Sequence, residues 1–345
     1  MTVRWRTGSA SLLAAVIALA ACGQATPSFP APDQDYSHVG LSDAEASTLL
    51  SLEQVSDYPL YTMHLYAEYD YQEFKGPEAT SSEPAWACTL FAALADPEAR
   101  LFARNLDWRY SPTLVLFTDP ADGYAAVTFV DIEYLGFTGE LAKDLDSKPI
   151  EELSVLLDAH HIPFDGMNEA GLAIAMAAVP PGQVPTDPEK DNIGSLGIIR
   201  AMLDQAGSVG EAIELFDNYN IDFEGGPPLH YLMADARGDS ALVEHYEGEI
   251  HVVRTDTAWH AATNFLESSV ESTDGQCWRH DIAATQLEQN SGALDSPGAF
   301  ALLEDVSQPD TQYSVVYNTN TGEVRVAMAR TYDRVFDFQL DMLEQ

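Results

Sequence analysis

Apolar and polar positions alternate along much of the chain, which predicts many short strands. Between residues 61 and 71, apolar side chains occupy every second position, the period of a half-buried strand. Strands are also predicted over residues 124–131, 231–236, 240–245 and 250–254, and the apolar run over 172–178 predicts a strand buried on both faces. Residues 312–317 and 323–329 predict a closing hairpin, because a turn-rich Asn-Thr-Asn-Thr-Gly stretch separates them.

Helical periodicity is confined to a few segments. Ser42 and Glu45 form a capping-box pattern, and leucines follow them at helical spacing. Residues 196–205 and 209–216 predict a helical pair. A further amphipathic helix is predicted with Ile282, Ala283 and Leu287 on one face. Strands and helices grouped in this way indicate an α+β fold with antiparallel sheets.

The N-terminus has the pattern of an export signal. Arg4 and Arg6 supply positive charge, and the apolar stretch over residues 12–21 is too short to span a bilayer. This stretch ends in Leu-Ala-Ala immediately before Cys22, and it resembles a bacterial lipobox. The resemblance implies cleavage before Cys22 and lipid on its sulfur, whereas the alternative is a plain secretory signal with an incidental cysteine.

The net charge of the chain limits the kinds of molecule that it can bind. The chain has 55 acidic side chains against 16 Lys and Arg, a formal net charge of −39. Binding to nucleic acid needs a basic surface, so a nucleic-acid partner is excluded. The acidic residues are scattered, a pattern that suits either a protein kept soluble in high salt or an ordinary acidic exported protein. The oligomeric state stays open.

The cysteines and histidines indicate neither a disulfide framework nor a metal site. Of the three cysteines, Cys22 is expected to carry lipid, Cys88 chemistry, and Cys277 is expected to be a small buried hydrophobe. His160 and His161 are expected on a strand, where neighbouring side chains point to opposite faces and cannot bind one ion. No HExxH, CxxC or glycine-rich phosphate loop occurs, so we expect no metal and no cofactor.

Two apolar segments bring reactive residue types together. Cys88 begins an apolar stretch that ends at a turn-like Ala-Asp-Pro-Glu sequence, and Arg104 and Asp107 belong to the next apolar stretch. If the two segments are adjacent antiparallel strands, the three residues can meet. The arginine would then stabilise a thiolate, and the aspartate would hold a group that carries a proton.

These residues resemble a known enzyme family. Cys-Thr at Cys88 and Arg-Asn-Leu-Asp from Arg104 are similar to the N-terminal-nucleophile amidases of the choloylglycine hydrolase and penicillin V acylase group; acid ceramidase and N-acylethanolamine amidase have a similar stretch. Three more motifs follow in the family's order, at residues 165–172, 263–264 and 311–314. The resemblance implies a four-layer αββα sandwich and a hydrolase that cuts a linear amide bond of a small N-acyl compound.

The resemblance also implies how the nucleophile works. Self-cleavage of the Ala87–Cys88 bond would give Cys88 a free α-amine, whose ordinary pKa of about 7.7–8.0 suits a base for its own thiol. Arg104 would lie beside the thiolate. Asp107 would accept a hydrogen bond from the α-amine. The acyl group would pass through a thioester on sulfur.

Two later residues complete the implied site. Asn264 matches the asparagine whose side-chain amide donates to the developing oxyanion. Arg279 matches a later active-site arginine, although an arginine on an amphipathic helix also has an ordinary surface role. The second asparagine of bile salt hydrolases has no counterpart after Leu172. The polar pair Asn168-Glu169 before it is assigned to the fold as a turn.

Together these features divide the chain into four parts. We expect a signal peptide over residues 1–21, a lipid tether over 22–40, a structured pro-segment over 41–87 and the hydrolase domain over 88–345. The protein is expected to be exported and anchored in the cell membrane or outer membrane, on the periplasmic or extracellular face.

Three other functions stay open at this point. An acyltransferase would pass the thioester to an amine instead of water. A papain-like thiol hydrolase would pair Cys88 with His230 or His260 and would need no cleavage before Cys88. A non-catalytic binding lipoprotein would keep its function in Cys88→Ala.

Overall fold

The computed structural model describes residues 29–69, 87–223 and 226–344. The strands in these ranges are β1 Glu53–Ser56, β2 Leu60–Leu65, β3 Ala87–Ala93, β4 Leu101–Asp107, β5 Thr113–Thr118, β6 Ala126–Asp131, β7 Pro163–Asn168, β8 Ala173–Ala178, β9 Asp191–Gly194, β10 Tyr219–Asp222, β11 Leu229–Ala234, β12 Ser240–Tyr246, β13 Glu249–Val253, β14 Trp259–Ala262, β15 Thr311–Asn318, β16 Glu323–Met328 and β17 Val335–Gln339. The α-helices are α1 Asp43–Leu50, α2 Gly197–Gln205, α3 Val209–Phe216, α4 Trp278–Gln289 and α5 Ser296–Asp305.

Two large sheets pack face to face. One sheet has nine strands in the order β1-β2-β5-β6-β7-β8-β11-β12-β13, and the other has six in the order β14-β3-β4-β15-β16-β17. Neighbouring strands in both sheets are antiparallel except β2 and β5, which are parallel. Contacts between β3 and β8 join the sheets, α2 packs on β7 and β8, and α4 and α5 pack on the six-stranded sheet. The four-layer αββα sandwich with antiparallel sheets expected from the sequence is confirmed.

Strand β3 is buried on both faces because it lies in the middle of these layers. Leu90 and Ala92 belong to the core between the sheets, and Phe91 and Ala93 belong to the core beneath α4 and α5. Successive side chains of a strand point to opposite faces, so an apolar run with no alternation fits a strand covered on both sides.

The segment before Cys88 is part of the large sheet. The capping box at Ser42 is present and begins α1, as predicted. Strand β2 pairs with β5, and Leu60 and Met63 are fully buried on it. The strand predicted over residues 61–71 ends at Leu65, and residues 70 and 71 lie outside the described residues.

One expectation about residues between the large strands is corrected, and one pair of strands had not been expected. His160 and His161 lie in a 3-10 helix, Ser154–His161, not on a strand, and their ring centroids are 3.8 Å apart. The short parallel pair β9–β10 was not predicted. Seven 3-10 helices occur in the described part of the chain, at Ser37–Val39, Ile132–Leu135, Gly139–Ala142, Leu145–Ser147, Ile150–Glu152, Ser154–His161 and Glu267–Ser269. None of the helices in the described ranges has the length and apolarity needed to cross a membrane.

Candidate active site

Strand register places Arg104 beside Cys88. In the β3–β4 ladder Cys88 lies opposite Leu106, and Leu90 lies opposite Arg104. Cys88 and Arg104 are therefore diagonal neighbours on one face, within reach of a long side chain. The Nη2 atom of Arg104 donates to Cys88 Sγ at 3.2 Å, and both residues are fully buried. Burial raises the pKa of the Cys88 thiol, and the Arg104 guanidinium lowers it in part.

A buried network holds Arg104 between the two sheets. Its Nη1 atom donates to Asp165 Oδ2 at 2.8 Å and to the Phe164 carbonyl at 3.2 Å. The hydroxyls of Tyr313 and Tyr317 also donate to the Asp165 carboxylate. Burial raises the pKa of Asp165, and the guanidinium and the two hydroxyls oppose that rise. The cation beside the thiol is thus fixed from three strands, β4, β7 and β15.

Asp107 lies on the opposite face of β4, at the same end of the strand. Its carboxylate accepts from Thr311 Oγ1 at 2.5 Å and from Gln308 Nε2 at 2.9 Å, and Arg279 Nη1 is 3.9 Å from it. Burial raises the pKa of Asp107, while the bonds from Thr311 and Gln308 lower it. In the uncut chain the backbone nitrogen of Cys88 donates to Asn264 Oδ1 at 2.7 Å, so the bond between Asp107 and a free α-amine stays a prediction.

Asn264 and Arg279 approach the same cysteine from outside the β3–β4 hairpin. Asn264 follows β14, the neighbour of β3. Arg279 is in the first turn of α4, and its guanidinium donates to the Cys88 carbonyl oxygen, to Thr89 Oγ1 at 3.0 Å and to Asn264 Oδ1 at 2.9 Å. The structure therefore brings all five predicted catalytic residues to one place.

The amide nitrogen of Asn264 is already engaged. It donates to the carbonyl of Ala178 at 2.7 Å, at the end of β8. Ala178 belongs to the stretch in which the sequence offers no second asparagine. The side-chain amide has two N–H donors, so one can stay on this carbonyl while the other donates to an oxyanion.

Sequence reasoning missed the network behind Arg104. Asp165 and Tyr313 were noticed only as members of motifs, and Tyr317 was not singled out. A signal was present, since Tyr313 and Tyr317 are separated by an even number of residues on one predicted strand and so share a face. What the pattern does not contain is that β7 lies opposite that face.

Asn168 serves the fold, as expected. Its amide donates to the Leu203 and Ala206 carbonyls, and its Oδ1 accepts from two backbone amides of the β7–β8 turn. Gly171 in that turn has a φ of +85°, and a Cβ there would lie 2.4 Å from the Thr319 carbonyl oxygen. Only glycine fits both the angle and the close approach.

The histidines proposed for a papain-like dyad bond elsewhere. His230 Nδ1 is 2.9 Å from Glu244 Oε1, and His260 Nδ1 is 3.2 Å from Ser240 Oγ. His260 also lies opposite Ala92, four residues along β3 from Cys88. Cys277 is half-buried, not buried as predicted, because it caps the start of α4. No group of three or more metal-binding side chains is found in the ranges that the structure describes.

Comparison with known proteins agrees with this arrangement. A model of the linear amide C-N hydrolases, choloylglycine hydrolase family, matches residues 88–299. A mutant of the conjugated bile acid hydrolase from Clostridium perfringens has a similar structure, with a TM-score of 0.54 and 17% identity over 74% of this chain and 92% of that chain. Penicillin V acylase from Agrobacterium tumefaciens has a TM-score of 0.51 and 18% identity over 74% of this chain and 87% of that chain.

Proposed function

Because the chain belongs to the choloylglycine hydrolase family of linear amide C-N hydrolases, we propose that it hydrolyses an N-acyl amide with Cys88 as its nucleophile. The observation that carries this proposal is the donation from Arg104 to Cys88 Sγ at 3.2 Å, with Asn264 and Arg279 bonded around the same residue. A cation beside a thiol favours the thiolate, which is the reactive form.

Self-cleavage comes first. Cys88 Sγ attacks the Ala87 carbonyl carbon, and the Ala87–Cys88 C–N bond breaks as the thiol proton passes to the departing nitrogen. Water then hydrolyses the thioester, which leaves a carboxylate on Ala87 and a free α-amine on Cys88. Complete burial of the Cys88 side chain in the uncut chain supports an inactive precursor that substrate does not reach.

Amide hydrolysis then uses the freed amine. The neutral α-amine of Cys88 takes the thiol proton, and the thiolate beside Arg104 attacks the substrate carbonyl. The Asn264 amide keeps one N–H on the Ala178 carbonyl and donates the other to the developing oxyanion. Asp107 accepts from the α-ammonium of Cys88, and Arg279 holds the Cys88 carbonyl oxygen and Asn264 Oδ1 in place. The α-ammonium gives its proton to the leaving amine, and water releases the acyl group from sulfur as a carboxylate.

The pro-segment over residues 41–87 remains bound as a small chain after the cut. Leu49, Leu60 and Met63 are buried in the cores of the domain, and burial of one such side chain contributes about 1.5–3 kcal/mol. Tyr58 also donates to Gln312 Oε1 at 2.7 Å, far along the sequence. A cut at Ala87 breaks none of these contacts.

The same protein is exported and held by lipid on Cys22, on the periplasmic or extracellular face of the cell membrane or outer membrane. The support is the lipobox-like sequence, which lies outside the described residues. The solved neighbours are named for conjugated bile acids and penicillin V. A small amide of this general kind, an acyl group joined to an amine, is the proposed substrate class.

The test is intact mass and N-terminal sequencing of purified protein that begins after Cys22, with Cys88→Ala in parallel. We expect a fragment that begins at Cys88 in the parent only, and both fragments in one size-exclusion peak until denaturant separates them. Hydrolysis of N-acyl amides should follow the cut, and product analysis with added amine separates hydrolysis from acyl transfer. An uncut parent that is fully active contradicts the free-amine mechanism.

A further inference from the structure

A buried pair of titratable side chains, His230 and Glu244, lies next to the Asn264 segment and has no part in the chemistry above. His230 is on β11 and Glu244 is on β12, and both are fully buried. His230 Nδ1 is 2.9 Å from Glu244 Oε1. Burial of a charged side chain costs free energy of folding even when the charge is paired. A buried pair of this kind therefore indicates a role other than stabilising the fold.

The Glu244 carboxylate binds the backbone that follows Asn264. Its Oε1 accepts from the amide of Glu267 at 3.0 Å, and its Oε2 accepts from the amide of Ser268 at 2.8 Å. Burial raises the pKa of Glu244, but the bonds from His230 and Ser268 outweigh burial and hold it below its ordinary value. The side chain is therefore a carboxylate that holds two backbone amides, one on each oxygen.

This clamp lies at one end of the segment that presents Asn264. Strand β14 ends at Ala262, and the 3-10 helix Glu267–Ser269 begins at the clamped amide. Residues 263–266 between them have β14 as one anchor and Glu244 as the other. Leu266 is buried within the same stretch.

We propose that Glu244, oriented by His230, is a positioning residue that holds the Asn264 amide where the oxyanion forms. The proposal rests on the proposed function, because it gives Asn264 its role there. Glu244 does not contact the reacting atoms and acts through the backbone of Glu267 and Ser268. A displacement of a catalytic group by 1 Å can cost about 10²-fold in rate, so a clamp three residues away is close enough to matter.

The test compares Glu244→Gln with Glu249→Gln, an exposed glutamate on the adjacent strand β13 that serves as the matched control. A glutamine offers one acceptor oxygen, and its amide nitrogen faces a backbone donor. We expect faster hydrogen exchange in the peptide that contains residues 263–270 and a kcat lower by about 10²-fold with little change in KM. The control should match the parent in both measurements.

Two outcomes overturn the clamp. One is unchanged exchange at residues 263–270 in Glu244→Gln; the other is a kcat equal to that of the control in the fraction cleaved at Cys88. If Glu244→Gln does not fold, His230→Gln is measured in the same way, with a smaller rise in exchange and a smaller loss of kcat expected. A parent that hydrolyses no amide contradicts the proposed function, whereas the exchange measurement still tests the clamp.

Discussion

The two sides of the candidate site are built differently. Arg104 reaches Cys88 from within the sheets, held by strands β4, β7 and β15 and by the Asp165 carboxylate. Asn264 and Arg279 reach the same residue from the end of β14 and the first turn of α4. Strand ladders fix one side, whereas hydrogen bonds from a loop and from the start of a helix fix the other.

The difference follows the order of events in the proposed reaction. Arg104 needs the same geometry in the precursor and in the cleaved enzyme, because the thiolate does not change place. Asn264 Oδ1 accepts from the Cys88 backbone amide before the cut, and the residue faces a free α-amine and an oxyanion after it, while one of its N–H groups stays on the Ala178 carbonyl. A rigid half for the charge and a half that gains new partners after the cut suit these two tasks.

The largest effect is expected where both halves meet, at Cys88. Cys88→Ala should abolish self-cleavage and amide hydrolysis, because no other group in the site supplies a nucleophilic sulfur. Thermal unfolding should stay close to that of the uncut parent. Residual hydrolysis above background in this variant, checked with purified protein and the parent's own substrate, contradicts the assignment of the nucleophile.

On the side of the site that the strands hold, Asp165→Asn should remove the charge that pairs with Arg104. The change leaves the buried Arg104 charge without its counter-charge, which should destabilise the fold by about 3–5 kcal/mol in urea unfolding. Tyr317→Phe is the matched control, because it removes one donor to the same carboxylate and should cost about 1 kcal/mol. Equal stabilities for the two variants would mean that Asp165 carries no charge in the folded protein.

On the other side of the site, Asn264→Ala should lower the rate of hydrolysis more than it lowers the stability of the fold. Removal of one oxyanion donor lowers kcat by about 10²–10³-fold. Asn168→Ala is the control. Like Asn264, Asn168 donates from its side-chain amide to backbone carbonyls, but it has no hydrogen bond with Cys88. It should lower stability and leave kcat per cleaved molecule near that of the parent. If Asn264→Ala instead lowers stability and leaves kcat unchanged, Asn264 supports the fold and not the reaction.

The smallest effect on rate is expected at Glu267, beside the Glu244 clamp, where a change of pH acts on stability instead. Burial and the Glu244 charge raise the pKa of Glu267 to about 8, and His280 Nε2 lies 3.8 Å from it. A raised folded-state pKa favours the protonated form, so this stabilisation is complete below the ordinary pKa near 4.5 and is lost as pH rises to about 8. Glu267→Gln should flatten that decline in unfolding free energy. Identical pH profiles for parent and variant would contradict it.

Many of the strands and the family could be predicted from the sequence. Helix α3, the capping box at Ser42 and the hairpin of β15 and β16 lie where they were predicted, because period and turn chemistry are local properties. Assignment to the family and to linear amide hydrolysis is confirmed by the match over residues 88–299. The edge strand β17 was missed although Phe336 and Phe338 alternate with polar residues, whereas the 3-10 helix that contains His160 has no strong period of its own.

By itself the sequence determined the layered class of the fold, the set of candidate reactive side chains and the acidic character of the whole molecule. Motif order and two-residue periodicity contain this information. Only the tertiary structure decided that Asp165 neutralises Arg104, that the Asn264 amide lies on Ala178, and that Glu244 binds the backbone behind it. Each of these contacts joins segments that are separated in sequence, and their approach is set by packing and burial of the whole core, which no local pattern encodes.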